Sequence, residues 1–179
     1  MTTDVEVDGS FFAFPTGWKV AKVDEWSEQT RVTKKPFFAK GCDVVAVHDG
    51  TAWLIEAKDY TYPGAAVPSD LHEEVGKKVW DTLSLLYAVA RWGHGERQTF
   101  SQRALGSRDL HVCLAMEIPD KGQRHRGVAT ALAHQRERLD SVTRLMGLAR
   151  PTVSNSFLPA DVPWTVRRDP SRRHLHRDR

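Results

Sequence analysis

Cysteine is scarce in this sequence, with only Cys42 and Cys113 among 179 residues. Two thiols exclude the disulfide framework of a small secreted domain, and both fall in segments that read as strands. They are expected to be reduced core residues. Long apolar runs are missing too: none approaches the roughly 20 residues that a membrane span needs, so no membrane partner is expected. The first twelve residues, MTTDVEVDGSFF, carry neither the basic region nor the apolar region of a secretory signal. A cytoplasmic location is the expectation. There is no Gly-rich phosphate loop, no zinc-ligand spacing and no serine–histidine–aspartate signature. His125, His134, His174 and His176 share no convincing metal spacing, although the HLH at 174–176 is a weak one.

What is present is enough apolar residue for one core, 40% of the chain, and a charge that is unevenly placed. Residues 1–120 hold thirteen Lys and Arg against eighteen acids, residues 121–150 seven against two, and residues 167–179 six arginines against two aspartates. A polyanion is therefore expected to meet the C-terminal third first. The expected organisation is a single domain over residues 1–166 and a basic tail over 167–179.

Periodicity and punctuation order the elements. Residues 24–32, DEWSEQTRV, read as a short helix with acids in its first turn. Residues 37–48 and 52–59 read as strands, and YPGAAVP at 62–68 as a loop. A long helix is predicted from about Ser69 to Gly93, with Leu71, Val75, Val79, Leu83, Leu86 and Ala90 on one face. Asp70 followed by Glu73 has the form of a capping box. Residues 110–118 read as a buried strand and 127–146 as a second amphipathic helix ended by Gly147. TVSNSFL (152–158) and WTVRR (164–168) are expected as a final pair of strands. Residues 11–23 take no clear assignment, and residues around 93–108 read as a loop with no assignable function. This order predicts an α/β fold, a mixed β-sheet flanked by helices. Trp80, Trp92 and Trp164, on predicted elements, are expected in the core.

The most informative stretch is GCDVVAVHDGTAWLIEAKDY, residues 41–60. Asp49-Gly50 is a strong signal for a two-residue type I′ turn. With those residues at the turn, His48 faces Thr51, Val44 faces Ile55, and Asp43 faces Glu56. Facing residues of antiparallel strands have Cβ atoms about 4.5–5.5 Å apart. Lys58, two residues beyond Glu56, projects from the same face. Two opposed carboxylates repel, so the site needs a cation. Lys58 alone can supply it as a structural charge cluster. A divalent ion can also supply it, because two carboxylates completed by waters and phosphate oxygens suit Mg²⁺.

An Asp before one strand and Glu-x-Lys on the next resembles the PD-(D/E)XK nuclease superfamily, the restriction-endonuclease-like fold. The resemblance rests on Gly41-Cys42-Asp43-Val44-Val45-Ala46-Val47 and Trp53-Leu54-Ile55-Glu56-Ala57-Lys58-Asp59-Tyr60. It extends over roughly residues 20–118 through the following helix and strand. Cys42 stands where the name-giving proline would be. The resemblance implies a restriction-endonuclease-like sheet and a Mg²⁺-dependent nuclease, with Mn²⁺ as a substitute ion. In it, Asp43 and Glu56 bind the metal with the Ala57 carbonyl, and Lys58 orients or deprotonates the attacking water. It also implies an additional acid from the preceding helix, for which Glu28 and Glu25 are the candidates. Lys77 and Lys78 on the next helix, and Lys40, are candidate phosphate contacts.

The partner expected is nucleic acid, DNA before RNA, met by a homodimer or by a subunit of a multiprotein complex. Restriction or anti-phage defence is the setting the analogy suggests. The alternative is a nucleic-acid-binding or scaffolding subunit with this fold and little activity.

Overall fold

Two Asp-Gly dipeptides each close a hairpin. Asp49 and Gly50 have φ of 44° and 74°, and Asp8 and Gly9 have φ of 46° and 75°. A two-residue turn with positive φ at both positions matches the twist of the strands it joins, which is why Asp-Gly is favoured there. The second dipeptide closes a hairpin between β1 (Thr3–Val7) and β2 (Ser10–Phe14), a segment the sequence pattern left unassigned. The computed structural model of the chain describes residues 3–34, 36–119, 126–169 and 171.

The architecture is mixed α/β, with four α-helices and two sheets among the described residues. The larger sheet has the order β3-β4-β5-β6-β7, with β3 at Lys19–Ala21, β4 at Val44–His48 and β5 at Thr51–Asp59. β6 is Asp109–Glu117 and β7 is Thr152–Ser154. β3, β4 and β5 run antiparallel to their neighbours, while β5, β6 and β7 are parallel. Parallel neighbours need a crossover. The crossover from β5 to β6 carries α2 (Leu71–Trp92) and α3 (Gly95–Leu105), and that from β6 to β7 carries α4 (Arg126–Thr143). A 3₁₀ turn, Val23–Glu25, and the short α1, Ser27–Val32, lie between β3 and β4. The smaller sheet is antiparallel, β1-β2-β8, with β8 at Thr165–Arg168. Among the described residues no helix is long and apolar enough to cross a membrane.

Strand parity divides the core in two. Val45, Val47, Ala52 and Leu54 pack with Leu71, Val75, Val79 and Leu86 of α2 and with Val128, Leu132 and Leu139 of α4. Their alternates Val44, Ala46, Trp53 and Ile55 pack with Phe12, Phe14, Trp18 and Trp164 against the smaller sheet. Successive side chains leave a strand on opposite faces, so the alternation assigns each residue to a layer.

Several expectations are corrected. The strand expected from residue 37 begins at Val44. Before it, the N–H of Lys40 donates to Asp81 and that of Cys42 to Thr82 Oγ1, so α2 side chains take backbone groups that a neighbouring strand would otherwise take. The capping box does not form: Asp70 is the N-cap, but its carbonyl, not its side chain, meets the Glu73 and Glu74 N–H groups. The last two strands exist but do not pair, since β7 joins β6 and β8 joins β2. Buried Glu117 accepts bonds from Asn155 and Ser156, which holds the chain just past Ser154 at the end of β6. Trp164 is in the core, whereas Trp80 and Trp92 are 59% and 80% exposed on α2. Arg167 and Arg168, counted both in the expected WTVRR strand and at the start of the tail, belong to β8. Residues 170 and 172–179 of the expected tail lie outside the described residues, as does His125. Both cysteines are free and buried, as expected.

Candidate functional site

The register read from Asp49-Gly50 is the register found: His48 pairs Thr51, Ala46 pairs Trp53 and Val44 pairs Ile55. Asp43 stands one residue before the ladder. Its Oδ2 accepts the Ala57 N–H at 2.7 Å, which ties this carboxylate to the rim of β5. Glu56 and Lys58 share parity with Leu54, so they project toward the helical layer.

Glu56 is 1% exposed. Its Oε1 meets Lys78 Nζ of α2 at 2.5 Å and Lys58 Nζ at 3.3 Å. Lys58 also donates to Glu74 Oε1 at 2.6 Å. The second oxygen of Glu56, Oε2, is buried without a hydrogen-bond partner. Burial, and then the Asp43 charge, push the Glu56 carboxyl up to about 7 against the pull of Lys78 and Lys58. Lys78 is held above its ordinary value by Glu56 and Asp43 despite burial, which acts the other way. Glu74, for which partial burial again opposes the shift, is held below the usual carboxylate range by Lys58.

These groups border a cavity of about 540 Å³. Asp43, Glu56, Ala57, Lys58 and Lys78 line it, and Lys40 and Glu25 stand at its wall. Glu25 is engaged with Lys22. The other two candidates are elsewhere. Glu28 pairs with Arg97 at 2.6 Å, and Lys77 pairs with Asp81 at 2.6 Å, one turn along α2. Neither borders the cavity. The helix expected at 24–32 is broken at Trp26, whose backbone is extended, so Glu28 restarts on a different face from Glu25.

Sequence reasoning passed over Asp24. This residue is exposed overall, yet its carboxyl borders the cavity; desolvation there and the nearby Asp43 push it up to about 6. An acid beside Glu25 in a first helical turn was the only signal available for it. The pairing of Lys78 with Glu56 was also unread, because it joins residues 22 apart through the placement of a helix.

Among the described residues no group of three or more His, Cys, Asp and Glu side chains is arranged to hold a metal ion. Asp43 and Glu56 both line the cavity at the β4–β5 rim.

Fold and site together define a mixed α/β protein with a buried acid–lysine cluster at one end of its larger sheet. No known protein-family profile matches the chain, and no solved structure matches it. The chain is 29% identical over 140 residues to a cysteine–tRNA ligase of Neisseria meningitidis serogroup A / serotype 4A, a match that covers 60% of this chain. It spans only 20% of that protein's length.

Proposed function

We propose that the protein is a metal-dependent nuclease of the restriction-endonuclease-like fold, acting on DNA in preference to RNA. The observation that carries this reading is Glu56: a carboxylate almost wholly removed from water, beside Asp43, with one oxygen left without a partner. Burying such a group is costly unless it serves a ligand or a reaction. The residues fit a Mg²⁺ ion, because two carboxylates with the Ala57 carbonyl leave positions for water and phosphate oxygens. A bound Mg²⁺ would polarise a phosphoryl oxygen and lower the pKa of a water.

The chain's own groups do the rest. Asp43, fixed by the Ala57 N–H, keeps its carboxylate at the strand end. Glu56 is held by Lys78 on one oxygen and keeps the other available. Lys58 places an ammonium at the cavity wall, where it orients the attacking water and offsets charge developing on the phosphate. Lys78 serves as an internal counter-ion to Glu56, a role that replaces direct phosphate contact. Asp24 and Glu25 are the candidates for an additional acid, in place of Glu28.

The alternative is a nucleic-acid-binding or scaffolding subunit with little activity. The test is incubation with supercoiled, linear and single-stranded DNA, and with RNA, in Mg²⁺, Mn²⁺ or EDTA, comparing Glu56→Gln and Lys58→Met. Because part of the chain is similar to part of a protein named as a cysteine–tRNA ligase, tRNA is included among the RNAs tried. Cleavage that survives EDTA or both substitutions would sink the mechanism. Binding without cleavage on every substrate would favour the scaffold. Restriction or anti-phage defence remains the proposed setting, with a second copy or a partner protein supplying targeting.

A further inference from the structure

The site cavity does not end at the site. It shares Lys22 and Glu25 with a second cavity of about 1080 Å³, and that one shares Lys19, Thr99 and Arg103 with a third of about 670 Å³ that reaches the Asp49-Gly50 turn. The second and third border β3, and the site cavity begins at Lys22 just past it; among the described residues β3 is the outermost strand of the larger sheet and is bonded only to β4. α3 supplies the facing wall through Arg97, Thr99, Phe100 and Arg103. Lys19 and Arg103 are exposed and have no hydrogen-bonding or ionic side-chain partner among the described residues. In the C-terminal third, Arg144 pairs with Asp140, Arg150 with Glu137 and Arg168 with Asp59, whereas Arg126 and Arg138 have no such partner among the described residues.

We propose that this groove is a track for a single strand of nucleic acid, which lays its phosphates on Lys19 and Arg103 and leads into the Asp43–Glu56 cavity. The inference rests on the nuclease reading and adds the substrate's path and strandedness. Lys19 and Arg103 supply the positive contacts for phosphates, in a groove whose other charges include Glu25 and Glu96 and which adjoins the acid–lysine site. Strandedness follows from the groove's lining. Half-buried Phe100 and the Arg97 guanidinium, which also pairs with Glu28, line the middle cavity above Trp26, itself only 7% exposed. Bases reach the Phe100 ring and the Arg97 guanidinium only when unpaired, whereas a duplex keeps its bases inside.

The test uses the full chain in EDTA, with fluorescent single-stranded DNA and RNA oligonucleotides and a duplex of the same sequence, read by anisotropy over a salt series. Wild type is expected to bind single strands at least about tenfold more tightly than duplex. The double variant Lys19→Glu/Arg103→Glu should lose about tenfold or more, and its salt slope should fall by about 1.4, the value for two phosphates on a single strand. Arg91→Glu/Arg126→Glu, with the same charge change outside the groove, should stay within about twofold. Lys19→Gln/Arg103→Gln, which adds no repulsion, should show the same loss of slope if the effect is contact rather than misfolding. Equal loss in the control pair, an unchanged slope, or preference for duplex overturns the track. So does failure to bind any strand, the result expected if β3 instead pairs with an extended protein segment. Cleavage in Mg²⁺ separates the two readings. If wild type cleaves and the groove variant cleaves as well, the track fails and the nuclease stands. If nothing is cleaved but binding depends on Lys19 and Arg103, the nuclease fails and the track stands.

Discussion

At the scale of single residues, Glu56 decides most of the chemistry. Its carboxyl, pushed up to about 7, binds a proton more tightly in the folded chain than an ordinary glutamate near 4.5. Folding without metal therefore takes up a proton between those two values, so this contribution to stability is fully present below the lower value and is lost as pH rises through the upper one. Glu56→Gln removes that dependence. Urea titrations in EDTA should show wild type losing stability relative to Glu56→Gln between about pH 5 and pH 8, on the order of 3 kcal/mol. A constant difference across that range would mean that the carboxyl is not protonated in the fold. Mg²⁺ favours the ionised carboxylate, so it should raise the wild-type melting temperature at pH 8 and leave Glu56→Gln unmoved. For activity, Glu56→Gln and Lys58→Met should each cost about 10²-fold or more in cleavage rate. Glu28→Gln, at a carboxylate engaged by Arg97, should stay within about twofold.

At the scale of elements, the seat of α2 on the sheet matters more than its helix propensity. Gly76 lies where α2 meets α4, and a Cβ there would come within 2.3 Å of Val142 Cγ1. Alanine at a helix interior position normally stabilises by about 1 kcal/mol relative to glycine. Here the clash should reverse the sign: Gly76→Ala should destabilise by about 1–3 kcal/mol. Val142→Ala should recover much of that loss in the double variant, measured by chemical denaturation. The same seat places Lys78, two residues along, against Glu56. A displaced α2 should therefore also lower metal affinity, which titration with Mn²⁺ would read. Much of α2 was legible beforehand, because Leu71, Val75, Val79 and Leu86 repeat at helical spacing and are all buried. α3 was not legible: GERQTFSQRAL buries only Ser101 and Ala104, too few to print a periodic stripe on the sequence.

At the scale of the whole molecule, the two sheets are joined by a buried charge network. Arg168 of β8 meets Asp59 Oδ2 of β5 at 2.6 Å and stands 3.8 Å from Glu117 Oε2 of β6, with all three side chains at most 13% exposed. Removing one partner leaves buried charge without its counter-ion, at a cost of about 3–5 kcal/mol. Arg168→Met should show that loss in thermal or urea unfolding. A truncation after Asp169 keeps the pair, whereas one that starts at Arg167 removes it. Only the longer chain can test whether the remaining basic residues bind nucleic acid. A change of less than about 1 kcal/mol for Arg168→Met would mean that Asp59 and Glu117 are satisfied without it.

The sequence by itself determined the β4–β5 hairpin, its register and the meeting of Asp43, Glu56 and Lys58 at one rim. Turn chemistry and the two-residue period of a strand are local, so Asp49-Gly50 was enough to order the residues on either side. The same reasoning applied to Asp8-Gly9 would have found the β1–β2 hairpin, where shorter and more mixed strands gave less to align. Tertiary structure alone decided which lysine neutralises Glu56, that Asp24 comes within the influence of the Asp43 charge, and that Arg168 closes on Asp59 across 109 residues. Those pairings depend on how layers stack and how much water they exclude. Burial that raises the Glu56 carboxyl and leaves Lys19 and Arg103 in the open is a property of the packed layers, which no local spacing records.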